Sequence, residues 1–289
     1  MNKTEMIMAK LQEHYDAMLT LYPADRIVGV FLQGSQNYDM DDEDSDVDTK
    51  CIVTPSLDEI VMAGDAVSTT HFLIDGKLVY TKEEQAIAEH CDAKDIRLYW
   101  KTLLKSNINF VEILFTKYSI INPLYKDLWD KVLSIRESVA RVNPLAAIKA
   151  MMGTISEKYF ALTHRYPSRE KWIDEFGYDP KQLHHLIRVY KFMESYHNGT
   201  HLFTYKDLVE SNHLLPAEKE RIKNIKRHGC GDLEAAQKIA DLYYGLAKDL
   251  CDGAKMYYDG QYDNFIKEIM FAIMGEMVKL SIRKELKQC

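Results

Sequence analysis

The sequence predicts an α+β fold, with a small mixed sheet in its first part and helices alone in its second. Two observations carry that prediction. Short apolar, β-branched runs bounded by turn residues recur before Pro123, and beyond it they give way to long stretches with apolar residues at helical spacing. The change sets a boundary near Asn122 to Tyr125 and divides the chain into residues 1–124 and 125–289. With 289 residues and 46% hydrophobic side chains, the chain can bury a sizeable core as one large or two modest units.

Taken in order, residues 4–21 place Met6, Met8, Leu11, Tyr15, Met18 and Leu19 on one helical face, and Tyr22-Pro23 stops the helix. Ile27–Gln33 is a continuous apolar run, the pattern of a buried strand, and Gly34-Ser35 ends it. After an acidic loop, residues 39–48, a second strand is expected over residues 47–53. Pro55-Ser56 opens a short helix over residues 57–62. Asp75-Gly76 is a two-residue hairpin turn between strands at 71–74 and 77–80. A helix at 83–89, a short strand at 90–94 and a helix at 95–104 follow. In the second part, Pro, Gly and Asn punctuate helices at 128–140, 144–164, 180–196, 216–228, 233–251 and 264–287.

Composition narrows the function. A net charge of -7 gives no general basic surface for duplex nucleic acid, so any such contact must be local. Cys51, Cys91, Cys230, Cys251 and Cys289 are dispersed and form no Cys-x-x-Cys, which suits free thiols in a reducing compartment. The first twenty residues lack an apolar signal-peptide core, and Lys267, Glu268, Glu276 and Lys279 interrupt the most apolar late stretch. The expectation is a cytoplasmic protein with no membrane span. No Walker A loop, dinucleotide fingerprint or nucleophile elbow occurs.

The chemistry concentrates between Gly34 and Asp48. In a strand, Asp46 and Asp48 point one way while Val47 points into the core. Two adjacent carboxylates repel unless a cation joins them, and hard oxygen ligands of this kind suit Mg²⁺ or Mn²⁺ completed by substrate phosphates. The Gly34-Ser35 turn adds backbone N–H groups and a hydroxyl for phosphate oxygens. Two other readings compete: a solvated or Ca²⁺-binding acidic loop, and a nuclease-like pairing of Asp48 with Lys50. The first lacks the Gly and closing Glu of an EF-hand, and the second gives Gly34-Ser35 no role.

The run Gly34-Ser35-Gln36-Asn37-Tyr38, followed by Asp44-Ser45-Asp46-Val47-Asp48, resembles the signature of the DNA polymerase β-like nucleotidyltransferase superfamily. It looks most like the predicted nucleotidyltransferases of the RNA-repair-pathway polymerase-β family. Residues 107–115 resemble that family's Asn-Pro-Asn-x-x-Glu-x-Leu-Phe segment, with Ile108 in place of Pro. Asp95-Ile96-Arg97 resembles its Asp-Leu-Arg helix start. Gly177-Tyr178-Asp179, Lys181, His185 and Arg188 resemble its Gly-Tyr-Asp-x-Lys-x-x-x-His-x-x-Arg motif.

The resemblance implies a polymerase-β-like core followed by an all-helical nucleotide- and acceptor-binding domain. The implied reaction moves a nucleoside monophosphate from an NTP to an acceptor hydroxyl and releases pyrophosphate. The acceptor is an RNA end, a protein or a small molecule. Asp46 and Asp48 are the expected metal ligands. Asp92 is the first candidate for the third carboxylate, since alternation sets it opposite Cys91 and Ala93, and Asp95 and Glu112 stand behind it. Gly34, Ser35, Lys181, His185 and Arg188 are the expected nucleotide contacts. Lys181 and Arg188 recur at helical spacing with His184 or His185 between them, which also fits a solvated basic face. Lys158 is a further phosphate candidate, and Tyr178 a base-stacking residue or a staple for the helix entry. Asn37 and Tyr38 shape the turn. The run Lys219, Arg221, Lys223, Lys226 and Arg227 either complements its helix dipole or faces RNA. The alternative to an enzyme is a non-catalytic nucleotide or RNA-end sensor that keeps the pocket.

Overall fold

A computed structural model describes residues 2–42, 45–165, 169–199 and 201–287. Asp44 and Cys289 therefore lie outside the described residues. In chain order the elements are α1 (Lys3–Leu19), β1 (Ile27–Gln33), β2 (Asp48–Val53), α2 (Leu57–Val61), β3 (Ser68–Ile74), β4 (Lys77–Val79), α3 (Lys82–Gln85), β5 (Glu89–Asp95), α4 (Ile96–Leu104), α5 (Ile108–Val111) and β6 (Ser119–Ile121). The helices α6 (Lys126–Ser134), α7 (Arg136–Ala140), α8 (Pro144–Phe160), α9 (Glu170–Phe176), α10 (Pro180–Asn198), α11 (Tyr205–Val209), α12 (Pro216–His228), α13 (Leu233–Tyr257) and α14 (Asn264–Glu285) follow. The fold is mixed α+β, as the change of pattern predicts.

The six strands run in the order β4-β3-β5-β2-β1-β6. The β2–β5 pair is parallel and the other ladders are antiparallel. Strand β1 is buried from Ile27 to Leu32, which is why it reads as one apolar run rather than an alternation. One sheet face is closed by α1. Its Ala17 and Met18 pack with Val30, Cys51, Val53, Leu73, Cys91 and Ala93, and its Ile7 and Leu11 with Leu32 and Val47. The other face contributes Val28, Phe31 and Ile52 to a large core shared with the helices of the second part. Phe31 meets Trp129 of α6 there, with ring centroids 4.6 Å apart.

That core is not interrupted where the strands give out. The last helix, α14, returns to the sheet: Thr54 donates its hydroxyl to Ser281 at 2.8 Å, and the Leu57 N–H donates to Glu285 at 2.9 Å. Among the described residues no helix is long and apolar enough to cross a membrane. Cys51, Cys91, Cys230 and Cys251 are free thiols.

Several expected elements change. Strand β2 starts at Asp48, so Asp46 sits in the loop before it. The helix expected over 83–89 shrinks to α3, because Glu89 joins β5 and its carboxylate meets the buried His14 imidazole, 3.3 Å away. The helix expected over 128–140 breaks in two at Ile135. Strand β6 and helices α5, α9 and α11 are additional to the sequence expectation. All four are short, below the length at which a period declares itself.

Gly29 tests the sheet. A Cβ added there would meet the Ile120 carbonyl oxygen of β6 at 2.8 Å. Gly29→Ala should therefore cost about 1–3 kcal/mol through overpacking and lower the thermal midpoint by about 2–8 °C. An unchanged midpoint would show that β6 moves away freely.

Candidate functional site

The ladder between β1 and β2 places Gln33 opposite Asp48, so β2 begins where Gly34 turns the chain out of the sheet. Gly34 has φ +102°, a conformation that side-chain-bearing residues rarely adopt. A short 3₁₀ turn, Ser35–Tyr38, carries the chain away from the strand. Asn37 holds that turn to its neighbours: its amide donates to the Leu32 carbonyl at 3.0 Å, and its Oδ1 accepts from Thr116 at 2.7 Å. Gln36 holds the acidic loop by donating to the Asp46 carbonyl at 2.7 Å.

Beneath the turn lies Glu112, only 3% exposed. Its Oε1 accepts the Gly34 N–H at 3.1 Å and its Oε2 accepts the Tyr38 hydroxyl. The Arg188 guanidinium of α10 lies 4.0 Å above the Tyr38 ring and adds a favourable charge to Glu112. Burial nevertheless dominates and pushes the Glu112 carboxyl up to about 7. Glu112, one of the further candidates for the third carboxylate, is instead the support of the Gly34 turn. The Gly34 amide points inward to that support, so it is Ser35 that the turn presents outward.

A cavity of about 730 Å³ opens above the turn. Asp46, Asp48, Gly34 and Ser35 form part of its wall, and Lys181, His185 and Arg188 of α10 another part. Seven of the eight residues expected at the site thus share one cavity. Asp46 is exposed, Val47 is buried and Asp48 is half-buried, so the expected alternation survives although β2 starts late. The Asp48 carboxyl is raised above its ordinary value, chiefly by burial and further by Asp46, while His90 and Lys181 oppose the rise. The His90 N–H donates to Asp48 at 3.0 Å.

On the other wall, Lys181 is lowered from its ordinary value, first by desolvation and then by Arg169 and Lys226. His185 is lowered by burial and by His184, Arg188 and Lys181, so it faces the cavity as a neutral imidazole at physiological pH. His184 is held down to about 3 by burial, and its Nδ1 donates to the Ile222 carbonyl at 2.9 Å. Lys158 lines the same cavity. Among the described residues, three buried polar atoms of the wall lack a protein partner: Gln33 Oε1, Gln36 Oε1 and Arg188 Nε.

Asp92 is the residue the structure keeps apart. It lies one strand away, level with Lys50 and not with Asp48. Its carboxylate pairs with the buried Lys50 ammonium at 3.0 Å and accepts the Thr70 hydroxyl at 2.7 Å, partners that help hold it below the usual carboxylate range against a desolvation that would raise it. Asp95 is fully buried as the N-cap of α4 and pairs with Arg97 at 2.7 Å. Among the described residues no group of three or more His, Cys, Asp or Glu side chains is placed to hold a metal ion. Asp46 and Asp48 suit a cation that takes its remaining ligands from substrate and water. Such a cation would offset the burial, and the lesser repulsion from Asp46, that raise Asp48.

Two expectations that left alternatives open resolve. Tyr178 is fully buried beside Phe176, its hydroxyl accepting the Cys230 N–H at 2.7 Å, so it packs at the helix entry and does not stack on a ligand. On α12, Lys226 and Arg227 lie in the last turn before Gly229, where they complement the helix dipole. Lys219 pairs with Asp39 at 2.8 Å, and Lys226 and Arg227 both pair with Asp42 at 2.5 Å. The acidic loop is their partner, and both elements gain from the match. Arg169 and Trp172, at and just after the start of α9, also line the cavity, and the sequence reading missed them with the helix itself.

No protein-family profile and no curated protein matches the chain.

Glu112 makes the site sensitive to pH. Its raised value means its contribution to stability is complete below about 4.5 and is lost as pH rises through about 7. Glu112→Gln stays neutral throughout. Between pH 5 and 8 the variant should gain about 2–3 kcal/mol relative to wild type, read by chemical denaturation at each pH. Parallel pH profiles for the two proteins would remove Glu112 as the titrating support.

Proposed function

We propose that the protein is a metal-dependent nucleotidyltransferase of the polymerase-β-like kind, which moves a nucleoside monophosphate from an NTP to an acceptor hydroxyl. One observation carries the reading: a single cavity sets the Asp46–Asp48 carboxylates against Lys181 and Arg188, beside the Gly34-Ser35 turn. Carboxylates and cations brought together without pairing directly suit a ligand that is itself a metal–polyphosphate. The unpartnered Arg188 Nε supports the same conclusion, since a buried guanidinium donor without an acceptor is costly.

In the reaction, the acceptor oxygen forms a bond to the α-phosphorus as the bond to the bridging oxygen breaks. Pyrophosphate leaves with that electron pair, and the hydroxyl proton passes to solvent. Asp46 and Asp48 would hold Mg²⁺ or Mn²⁺, which would supply charge neutralisation and acidify the acceptor hydroxyl. Lys181 and Arg188 take up the charge that develops on the leaving pyrophosphate. Ser35 offers its hydroxyl to the phosphates, while Gln36 fixes the loop that carries Asp46. His185, being neutral, donates or accepts a hydrogen bond without adding charge.

The pairing of Asp92 with Lys50 favours a second reading, a nucleotide sensor that binds without turnover, because the third carboxylate is already neutralised. Pyrophosphate release from an NTP panel, crossed with RNA ends, proteins and small hydroxyl compounds, separates the two. Product with any acceptor supports the enzyme. Tight NTP binding with no release across the panel supports the sensor.

Lys181 is the cleaner test of the phosphate wall, because it is exposed to the cavity while Arg188 also packs on Tyr38. Lys181→Ala should weaken NTP binding by about 1.5–3 kcal/mol without changing the fold. Loss of the folded state instead would mark Lys181 as structural.

Asp48→Asn should abolish pyrophosphate release. In chelator at neutral pH it should also be at least as stable as wild type. The raised Asp48 carboxyl contributes stability below its ordinary value near 3.8 and loses it as pH rises, so at pH 7 its charge is a net cost. Added Mg²⁺ should raise the wild-type midpoint and leave the variant's unchanged. Equal responses would remove Asp48 as a metal ligand.

A further inference from the structure

We infer that Trp172 is the platform on which the base of the nucleotide stacks, an assignment that rests on the phosphate reading of the same cavity. The cavity wall is rich in charge, and among its described residues few rings are large and flat. Tyr38 is 7% exposed and covered by Arg188, and His184 is turned to the Ile222 carbonyl. Trp172 is half-buried and lines the cavity.

The ring is braced from behind. It stacks on Phe176 one turn along α9, with centroids 5.9 Å apart and planes 18° from parallel. Phe176 meets Tyr178 edge to face at 6.1 Å, and Tyr178 is tied to the backbone at Cys230. Gly229 lets this tier pack closely. With φ +67°, a Cβ there would meet the Tyr178 hydroxyl at 2.8 Å and Phe176 at 3.0 Å. A rigid, amphipathic ring loses little entropy on binding a second ring.

Trp172 is also coupled to the phosphate wall by sequence. Arg169 lies three residues before it, pinned by Asp179 at 3.0 Å, and lines the same cavity. Residues three apart in a helical turn share a face, so one short element offers a cation and an aromatic plane together. A nucleotide presents that pair of features, phosphate and base, joined by a sugar. Stacking uses the π-face common to all bases, so the platform accepts both purines and pyrimidines and favours the larger purines.

The test compares ligands with and without a base in the presence of Mg²⁺: ATP and CTP against inorganic tripolyphosphate, by titration calorimetry. Trp172→Ala should weaken ATP by about 5- to 100-fold and leave tripolyphosphate within about twofold of wild type, since no ring contact is lost there. Trp172→Phe should recover most of the ATP affinity. Intrinsic fluorescence gives a second readout that does not depend on the alanine variant folding: ATP should quench wild-type emission, tripolyphosphate should not, and the quenching should vanish in Trp172→Phe. Equal losses for ATP and tripolyphosphate, or no loss for ATP, would overturn the assignment while the phosphate site stood. Failure of wild type to bind any of these ligands would overturn the phosphate reading and the platform with it.

Discussion

Burial of Glu112 is the constraint on which the rest of the site depends. A carboxyl group taken out of water must be hydrogen-bonded or neutralised, or it costs several kcal/mol. Here its partners come from three parts of the chain: the Gly34 amide at the end of β1, the Tyr38 hydroxyl in the turn, and the nearby Arg188 charge on α10. All must arrive for the group to be tolerated. The same requirement fixes the turn against the sheet and α10 against the turn, so the two walls of the cavity are registered to each other by one acidic side chain.

Electrostatic matching extends that registration outward. The loop after Tyr38 is acidic and the facing helix α12 is basic, and Asp39 and Asp42 meet Lys219, Lys226 and Arg227. Lys3 of α1 pairs with Asp41 at 2.7 Å, so the loop is tied from a second side. Exposed pairs of this kind are individually weak and are screened by salt. Together they help hold the loop that carries Asp46 over the cavity, and they engage Lys219, Lys226 and Arg227 of the basic run.

Local pattern in the sequence was enough for Ile27–Gln33, whose strand bounds emerge unchanged, and for α12, whose Pro and Gly mark its ends. The alternation of Asp46, Val47 and Asp48 was legible for the same reason: it depends on neighbours alone. Where partners come from far away, the sequence falls silent. Asp92 alternates as expected against Cys91 and Ala93, but only the parallel register of β2 and β5 shows that Lys50 stands beside it. Glu112 reads as one acidic residue in an apolar segment, and nothing local marks the amide and hydroxyl it will meet. Helix α9 has two turns at most, so Trp172 and Arg169 had no periodic pattern to reveal them. Tyr178 reads equally as a stacking ring or a staple for the helix entry, and only its packing on Phe176 and Cys230 decides for the second.

The return of α14 to the sheet has a consequence for how the chain folds. Thr54 and Leu57 find their partners at Ser281 and Glu285, more than two hundred positions later. Tyr125, fully buried, gives its hydroxyl to the Asp25 carbonyl, where Ser281 also donates, at 3.3 Å. Contacts of such separation carry a loop-closure cost before they give anything back, and they slow folding. During synthesis the strands, α1 and α6 can assemble early, with Phe31 already against Trp129. The end of the sheet at Thr54 and Leu57 stays without its partners until the last long helix docks, and an incompletely covered core is the condition under which nascent chains aggregate or engage chaperones.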